Sequence, residues 1–219
     1  MKTNINIIIM GPQGSGKGTQ ARFLAEKYDL QIFETGAVLR EIAKQDTETG
    51  RKINEIMNVK GNIVPWDFMK EKILGQKLAE LDADRGIIFD GTPRIIEEAE
   101  FWENKLKEVG RKIDYIFYVD VSSKESVKRI SIRKLCKKNA HPLIVGKDLS
   151  EEDEKCPICD SEVYRRKDDT PEKVLNRLEW SEKKIKPVIE FYENKKMITR
   201  IDGEKPVEDI NREIVSHIK

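Results

Sequence analysis

The apolar positions of this chain gather into short continuous runs, separated by longer segments with helical spacing. Five runs stand out, at residues 5–10, 31–33, 87–90, 115–120 and 197–201. A near-continuous run, rather than strict alternation, marks a strand buried on both faces of a parallel sheet. After the first run, residues 19–28 place Phe23, Leu24 and Tyr28 on one apolar helical face. The alternation of strand and helix predicts βαβ crossovers and an α/β fold built on a five-stranded parallel sheet flanked by helices. Two segments break the rhythm. Residues 36–65 carry two helical stretches, "AVLREIAKQ" and "RKINEIMNV", where a crossover needs only one. Residues 134–169 are rich in Lys, Asp, Pro and Cys, poor in apolar side chains, and too long for an ordinary loop. Both are expected to stand off the sheet as insertions. Ser122 and Glu125 have capping-box spacing, opening a helix expected to carry Arg129 and Arg133 on one face.

Between the first run and the first helix lies "GPQGSGKGT", residues 11–19. It satisfies the phosphate-binding pattern G-x4-G-K, with Gly18 after the lysine and Thr19 one place later than the usual hydroxyl. Glycines at a strand-to-helix turn let several backbone N–H groups converge on one anion, and the helix dipole favours negative charge at the same point. Lys17 adds a mobile cation able to follow a phosphate. A second strand ends in Asp90 of "GIIFDGTPR", a natural place for a carboxylate that holds Mg²⁺ or its waters; the alternative is a helix cap.

Forty-one basic and 40 acidic side chains nearly cancel in 219 residues, so no global field points to nucleic acid or to a membrane. No apolar run approaches the ~18 residues of a membrane span. Three cysteines, two of them in "CPIC", fit a metal site in a reducing compartment better than a disulfide framework. The expectation is a soluble, cytoplasmic protein.

These motifs together resemble the adenylate kinases of the long-lid type, and the likeness runs along essentially the whole chain. It rests on GPQGSGKGTQA; on "ETGAVLR" with Thr35, Gly36 and Arg40; on "GNIV", residues 61–64; on "DGTPR", residues 90–94; on "VKRISIR" with Arg129 and Arg133; on "RRKDDTPEKVLNRL"; and on "DGEKPV" after the last strand. The resemblance implies a core of residues 1–34, 65–131 and 170–219, a monophosphate-binding insertion at 35–64 and a lid at 132–169. It implies a monomer, and direct in-line transfer from Mg·ATP to AMP, giving two ADP. Lys17, Asp90, Arg94, Arg129, Arg133, Arg166 and Arg177 would be catalytic. ATP would be held by Gly14, Ser15, Gly16, Lys17, Gly18, Thr19, Arg129, Arg133 and Lys205. AMP would be held by Thr35, Gly36, Arg40, Asn62, Ile63, Val64, Gly91, Arg94, Glu98, Arg166 and Arg177. So many cations are reasonable, because two polyanions must meet and positioning with charge stabilisation does nearly all the work.

Relatives with a long lid often close it with zinc on two Cys-x2-Cys pairs. Here the first pair is broken: Asn139 stands where a cysteine is usual. Cys136, His141, Cys156 and Cys159 would make a tetrahedral Cys3His set, against the alternative of a metal-free lid. On the acceptor side Ala37 replaces an aspartate, Thr92 a phenylalanine and Glu98 an adenine-reading glutamine. A carboxylate only accepts, so it would suit guanine better than adenine unless it points to solvent. A GMP kinase and a non-catalytic nucleotide-binding module are therefore the alternatives to AMP phosphorylation.

Overall fold

The computed structural model describes residues 4–60, 64–139, 141–165 and 171–219. Its centre is β1 (Asn6–Met10), buried at every position. The other strands of the main sheet are β2 (Gln31–Glu34), β3 (Ile87–Asp90), β4 (Tyr115–Asp120) and β8 (Ile198–Asp202). All pair in parallel, in the order β2-β3-β1-β4-β8. The five-stranded parallel sheet expected from the apolar runs is present.

Side chains leave successive strand positions on opposite faces, and each face gathers its own core. Ile8, Met10, Phe33, Phe89 and Ile116 meet Trp102, Leu106, Val188 and Tyr192 on one side. Those partners lie on α6 (Ile96–Glu108) and α8 (Pro171–Asn194). Ile7, Ile9, Ile88, Phe117 and Val119 meet Ala21, Leu24, Ile210 and Ile214 on the other. These come from α1 (Lys17–Tyr28) and α9 (Val207–His217). Leu24 is fully buried, whereas Phe23, expected on the same apolar face, is 41% exposed. One step along a helix turns a side chain by about 100°, which takes Phe23 off the sheet.

The first insertion contains α2 (Thr35–Ile42) and α3 (Glu48–Asn54), the latter continuing as a π-helical turn, Glu55–Val59. The chain returns through α4 (Trp66–Met69), a second π-helical turn, Lys70–Gly75, and α5 (Gln76–Ala79). After β4, α7 (Ser123–Ser131) leads into a small antiparallel sheet, ordered β6-β5-β7, of β5 (Arg133–Cys136), β6 (Pro142–Ile144) and β7 (Val163–Tyr164). The Arg165 guanidinium donates to the Ser131 carbonyl, so the entry and exit of this lobe lie side by side. Half of the expected capping box forms: Ser122 Oγ accepts from Glu125 N at 3.3 Å. The reciprocal place on Ser122 N is taken by Glu204, at 3.1 Å, while Glu125 reaches Arg129 Nε at 2.8 Å. Among the described residues, no helix is long and apolar enough to cross a membrane.

Candidate active site and lid metal centre

Parallel strands deliver their C-terminal ends to one edge, where ligands of such sheets collect. Here that edge carries the glycine loop after β1, Glu34 of β2 and Asp90 of β3. Glu34 and Asp90 face each other in register. Gly16, whose φ of 87° lies in the left-handed region, caps the start of α1, and no acidic residue occupies the helix's first turn. The leading N–H groups of a helix have no partner inside it, so this end offers donors and a positive dipole to an anion. Gly18 has a steric reason to be glycine: a Cβ there would sit 3.0 Å from Asp90 Oδ2. The chain therefore gives up the usual hydroxyl after the lysine and brings the helix against the carboxylate instead.

Lys17 Nζ donates to the Pro12 carbonyl at 3.1 Å. Desolvation pulls Lys17 below the ordinary lysine value; Asp90 opposes the fall, while Arg94 and Arg133 add to it. Desolvation also pushes the Asp90 carboxyl up, against the pull of Lys17, Arg22 and Arg94. Lys17, Asp90, Arg94 and Arg133 thus share one electrostatic neighbourhood. Arg94 Nε donates to the Gly91 carbonyl at 2.9 Å. Arg129 donates through Nη1 to the carbonyls of Gly203, at 2.9 Å, and Gly14, at 3.3 Å, linking the glycine loop to the turn after β8. Arg40 Nη2 pairs with Glu34 Oε1 at 2.7 Å. Lys205 pairs with Glu213 at 2.9 Å. Thr35, Gly36 and Arg40 lie in α2, and Val64 is buried at the far end of the same insertion.

One arginine expectation needs correcting. α7 ends at Ser131, so Arg133 is the first residue of β5 rather than a helical neighbour of Arg129. The two guanidinium groups reach this edge from different elements. Asn62, Ile63 and Arg166 lie outside the described residues, as does the side chain of Arg177, which falls within α8. Two charged residues of the cluster were not singled out from sequence. Glu34 closes β2 opposite Asp90. Arg22 lies one helical turn after Gly18, and its charge is felt by Asp90 and by Glu34. The signals available were the last position of a strand for Glu34 and the i,i+4 step from Gly18 for Arg22.

Glu98 is 3% exposed. Its Oε1 accepts from Thr92 Oγ1 at 2.5 Å and its Oε2 from Arg94 N at 2.7 Å. Thr92 Oγ1 in turn accepts from Trp102 Nε1 at 2.8 Å. Burial pushes the Glu98 carboxyl up, with the Thr92, Arg94 and Trp102 hydrogen bonds pulling back. The carboxylate does not point to solvent.

In the second insertion, one ligand atom from each of Cys136, His141, Cys156 and Cys159 lies within 4.8 Å of all the others. Cys136 Sγ and Cys156 Sγ each stand 3.5 Å from His141 Nδ1, and Cys159 Sγ stands 3.7 Å from Cys136 Sγ. Zinc bonds of about 2.3 Å to sulfur and about 2.05 Å to nitrogen, at tetrahedral angles, require edges of about 3.8 Å and about 3.6 Å. The donor set fits the ion. Burial pushes the Cys136 thiol up, but N–H groups of His141 and Asn139 on its sulfur outweigh that and hold it at about 7. Asn139 thus serves this site through its backbone N–H, 3.3 Å from the sulfur. Among the described residues the apolar core of the lobe is small: its buried cluster is Cys136, Leu143, Leu149 and Cys156. The buried Lys134 ammonium adds a polar tie, donating to the carbonyls of Glu151 and Asp153.

The family profile described as Adenylate kinase matches residues 9–197. A protein named adenylate kinase from Archaeoglobus fulgidus is 38% identical over 210 residues, covering 96% of each chain. One of the same name from Staphylococcus aureus strain Mu50 is 34% identical over 211 residues, 96% of this chain and 97% of its own. That of Staphylococcus epidermidis is 33% identical over the same span.

Proposed function

The chain belongs to the adenylate kinase family, and from that premise we propose that it catalyses Mg·ATP + AMP ⇌ 2 ADP by direct in-line transfer. The observation that carries the reading is the meeting of Lys17, Asp90 and Arg94 at the N-terminal end of α1, with Arg133 in the same field. Asp90 Oδ2 lies 3.0 Å from where a Cβ on Gly18 would be. Lys17 Cε and Arg94 Nη2 lie 3.5 Å and 3.7 Å from where a Cβ on Gly91 would be. Two phosphate chains repel each other, and the reaction leaves the protein little covalent work beyond holding them in line and stabilising the transferred group. The glycine loop, residues 14–19, holds the donor phosphates through backbone N–H groups. Lys17 follows the transferred phosphoryl group, while Arg129 and Arg133 hold the donor side. Arg40 and Arg94 hold the acceptor phosphate, completed by Arg166 and Arg177. Magnesium bound with ATP supplies charge neutralisation on the phosphates, and Asp90, with Glu34 beside it, is the carboxylate placed to hold its waters.

We divide the chain into a core (1–34, 65–131, 170–219), an acceptor arm (35–64) and a lid (132–169) tied by zinc on Cys136, His141, Cys156 and Cys159. A monomer in the cytoplasm completes the reading; three free cysteines at metal-binding spacing support a reducing compartment. The test is a coupled assay of purified protein with ATP and each nucleoside monophosphate in turn. AMP should be the best acceptor. Faster turnover of GMP would overturn the acceptor, and no turnover of any monophosphate would overturn the reaction.

A further inference from the structure

We propose that Glu98 is a positioning residue: with Thr92 and Trp102 it forms a buried relay that fixes the acceptor loop carrying Arg94, and it does not read the acceptor's base. The inference rests on the phosphoryl transfer proposed above and concerns the same site. Thr92 and Trp102 are both 0% exposed. An indole N–H can only donate, so Trp102 Nε1 occupies a lone pair of the Thr92 hydroxyl at 2.8 Å. The single hydroxyl proton then goes to Glu98 Oε1, 2.5 Å away. The other carboxylate oxygen takes the Arg94 N–H at 2.7 Å. Both oxygens are thereby engaged, and both partners belong to the loop that follows Asp90.

Arg94 is held from two ends. Its backbone N–H is fixed by Glu98, and its Nε by the Gly91 carbonyl at 2.9 Å. What remains of the guanidinium fork is aimed by these two bonds. Each oxygen keeps a second lone pair, but the side chain is buried. To reach a base Glu98 would have to swing out of this pocket and release Thr92 and Arg94, leaving buried donors unsatisfied. The two departures from the family pattern noted above thus act as one unit. A phenylalanine at 92 could not donate to residue 98, and a glutamine at 98 would turn an amide N–H₂ toward one of two donors.

The experiment compares Glu98→Gln, Thr92→Val, Thr92→Ser and the Glu98→Gln/Thr92→Val pair, at saturating ATP, with AMP and with GMP. A nucleotide turned over too slowly is measured as a competitive inhibitor. Losing one hydrogen bond to a charged group should raise the KM for both acceptors by the same factor, about tenfold or more. The KM for ATP and the AMP:GMP selectivity should hold within about twofold, and the paired variant should lose less than the product of the single losses. Thr92→Ser, which keeps the hydroxyl, should restore the acceptor KM. The Trp102 indole N–H resonance should shift in Thr92→Val and not in Thr92→Ser. A change in AMP:GMP selectivity of about tenfold in Glu98→Gln would mean that the carboxylate touches the base, and would overturn this inference alone. Wild-type acceptor kinetics in Thr92→Val would also overturn it. Wild-type protein that phosphorylates no monophosphate would sink the kinase reading and this inference together.

Discussion

Removing His141 from the lid isolates the metal's contribution to that lobe. His141 Nδ1 is 3.5 Å from two of the three sulfurs, so no other side chain of the set can take its corner of the tetrahedron. The lobe's own core contributes little by comparison. Leu143 and Leu149 are its buried leucines, and at ~1.5–3 kcal/mol each they supply about 3–6 kcal/mol. A structural zinc supplies about 10–16 kcal/mol of apparent binding free energy, all of it coupled to folding. The metal is the larger effect. Loss of a partner outside the ligand shell commonly costs about 10–100-fold in metal affinity, so His141→Ala, a lost ligand, should cost at least about 100-fold. Purified wild-type protein should hold about one zinc per chain, and the variant much less under a competing chelator. Hydrogen exchange read by mass spectrometry should show residues 133–165 losing protection in the variant, while β1, β3 and β4 keep theirs. Full zinc retention in His141→Ala would move the fourth ligand elsewhere. Wild-type protein that is metal-free and still protects residues 133–165 would remove zinc from the account.

Lys17→Met should lower kcat by about 10²–10³-fold or more, the cost of removing one charge-stabilising donor, with the circular dichroism of the folded state retained; near-normal turnover would contradict the role given to the glycine loop. A bisubstrate analogue should protect the arm and the lid from exchange more than the sheet strands, because both must close to exclude water before transfer; uniform protection would argue against mobile lobes. Burial lifts the Glu98 carboxyl above its ordinary value of 4.5. Between 4.5 and that higher value the folded chain keeps a proton that the unfolded chain has released, so stability falls as pH rises through the window. Glu98→Gln removes this titration, so its melting temperature should fall less steeply with pH than the wild type's; identical slopes would contradict the assigned shift.

The parts legible in the sequence are those fixed by short-range constraints. A strand buried on both faces has few alternatives to an unbroken apolar run, so the five strands of the main sheet could be read directly. The glycine loop was legible because the backbone geometry of an anion cradle restricts residue type, at Gly16 by conformation and at Gly18 by contact with Asp90. CPIC alone pointed to a metal site; the four-ligand set was legible through the resemblance to long-lid relatives, with His141 two places beyond the interrupted pair. Long-range partners were not legible. That Glu204 takes the Ser122 N–H depends on residues 82 apart brought together only by the fold. Thr92 and Glu98 are close in sequence, but the inward turn of Glu98 depends on the burial that α6 and the sheet create around it. Arg133 was misplaced because the turn from α7 into β5 has no proline or glycine to announce it. The π-helical turns at Glu55–Val59 and Lys70–Gly75 leave no period that distinguishes them from ordinary helix.

The strand order also has a consequence for synthesis on the ribosome. The sheet grows outward from β1, with β3 and β2 completing one flank before β4 is made on the other. β4 then waits for β8, which emerges only after the lid and the whole of α8. About 80 residues separate the two strands, so at roughly 5–20 residues per second the nascent chain carries an unpaired apolar edge for about 4–16 s. That edge includes Phe117 and Val119, both fully buried once β8 and α9 have docked. An open edge of this kind is a template for pairing with another chain. Slow translation between the two strands should therefore lower the yield of native protein, at a stage when the phosphate-binding loop and the first insertion are already made and the second insertion is still being added.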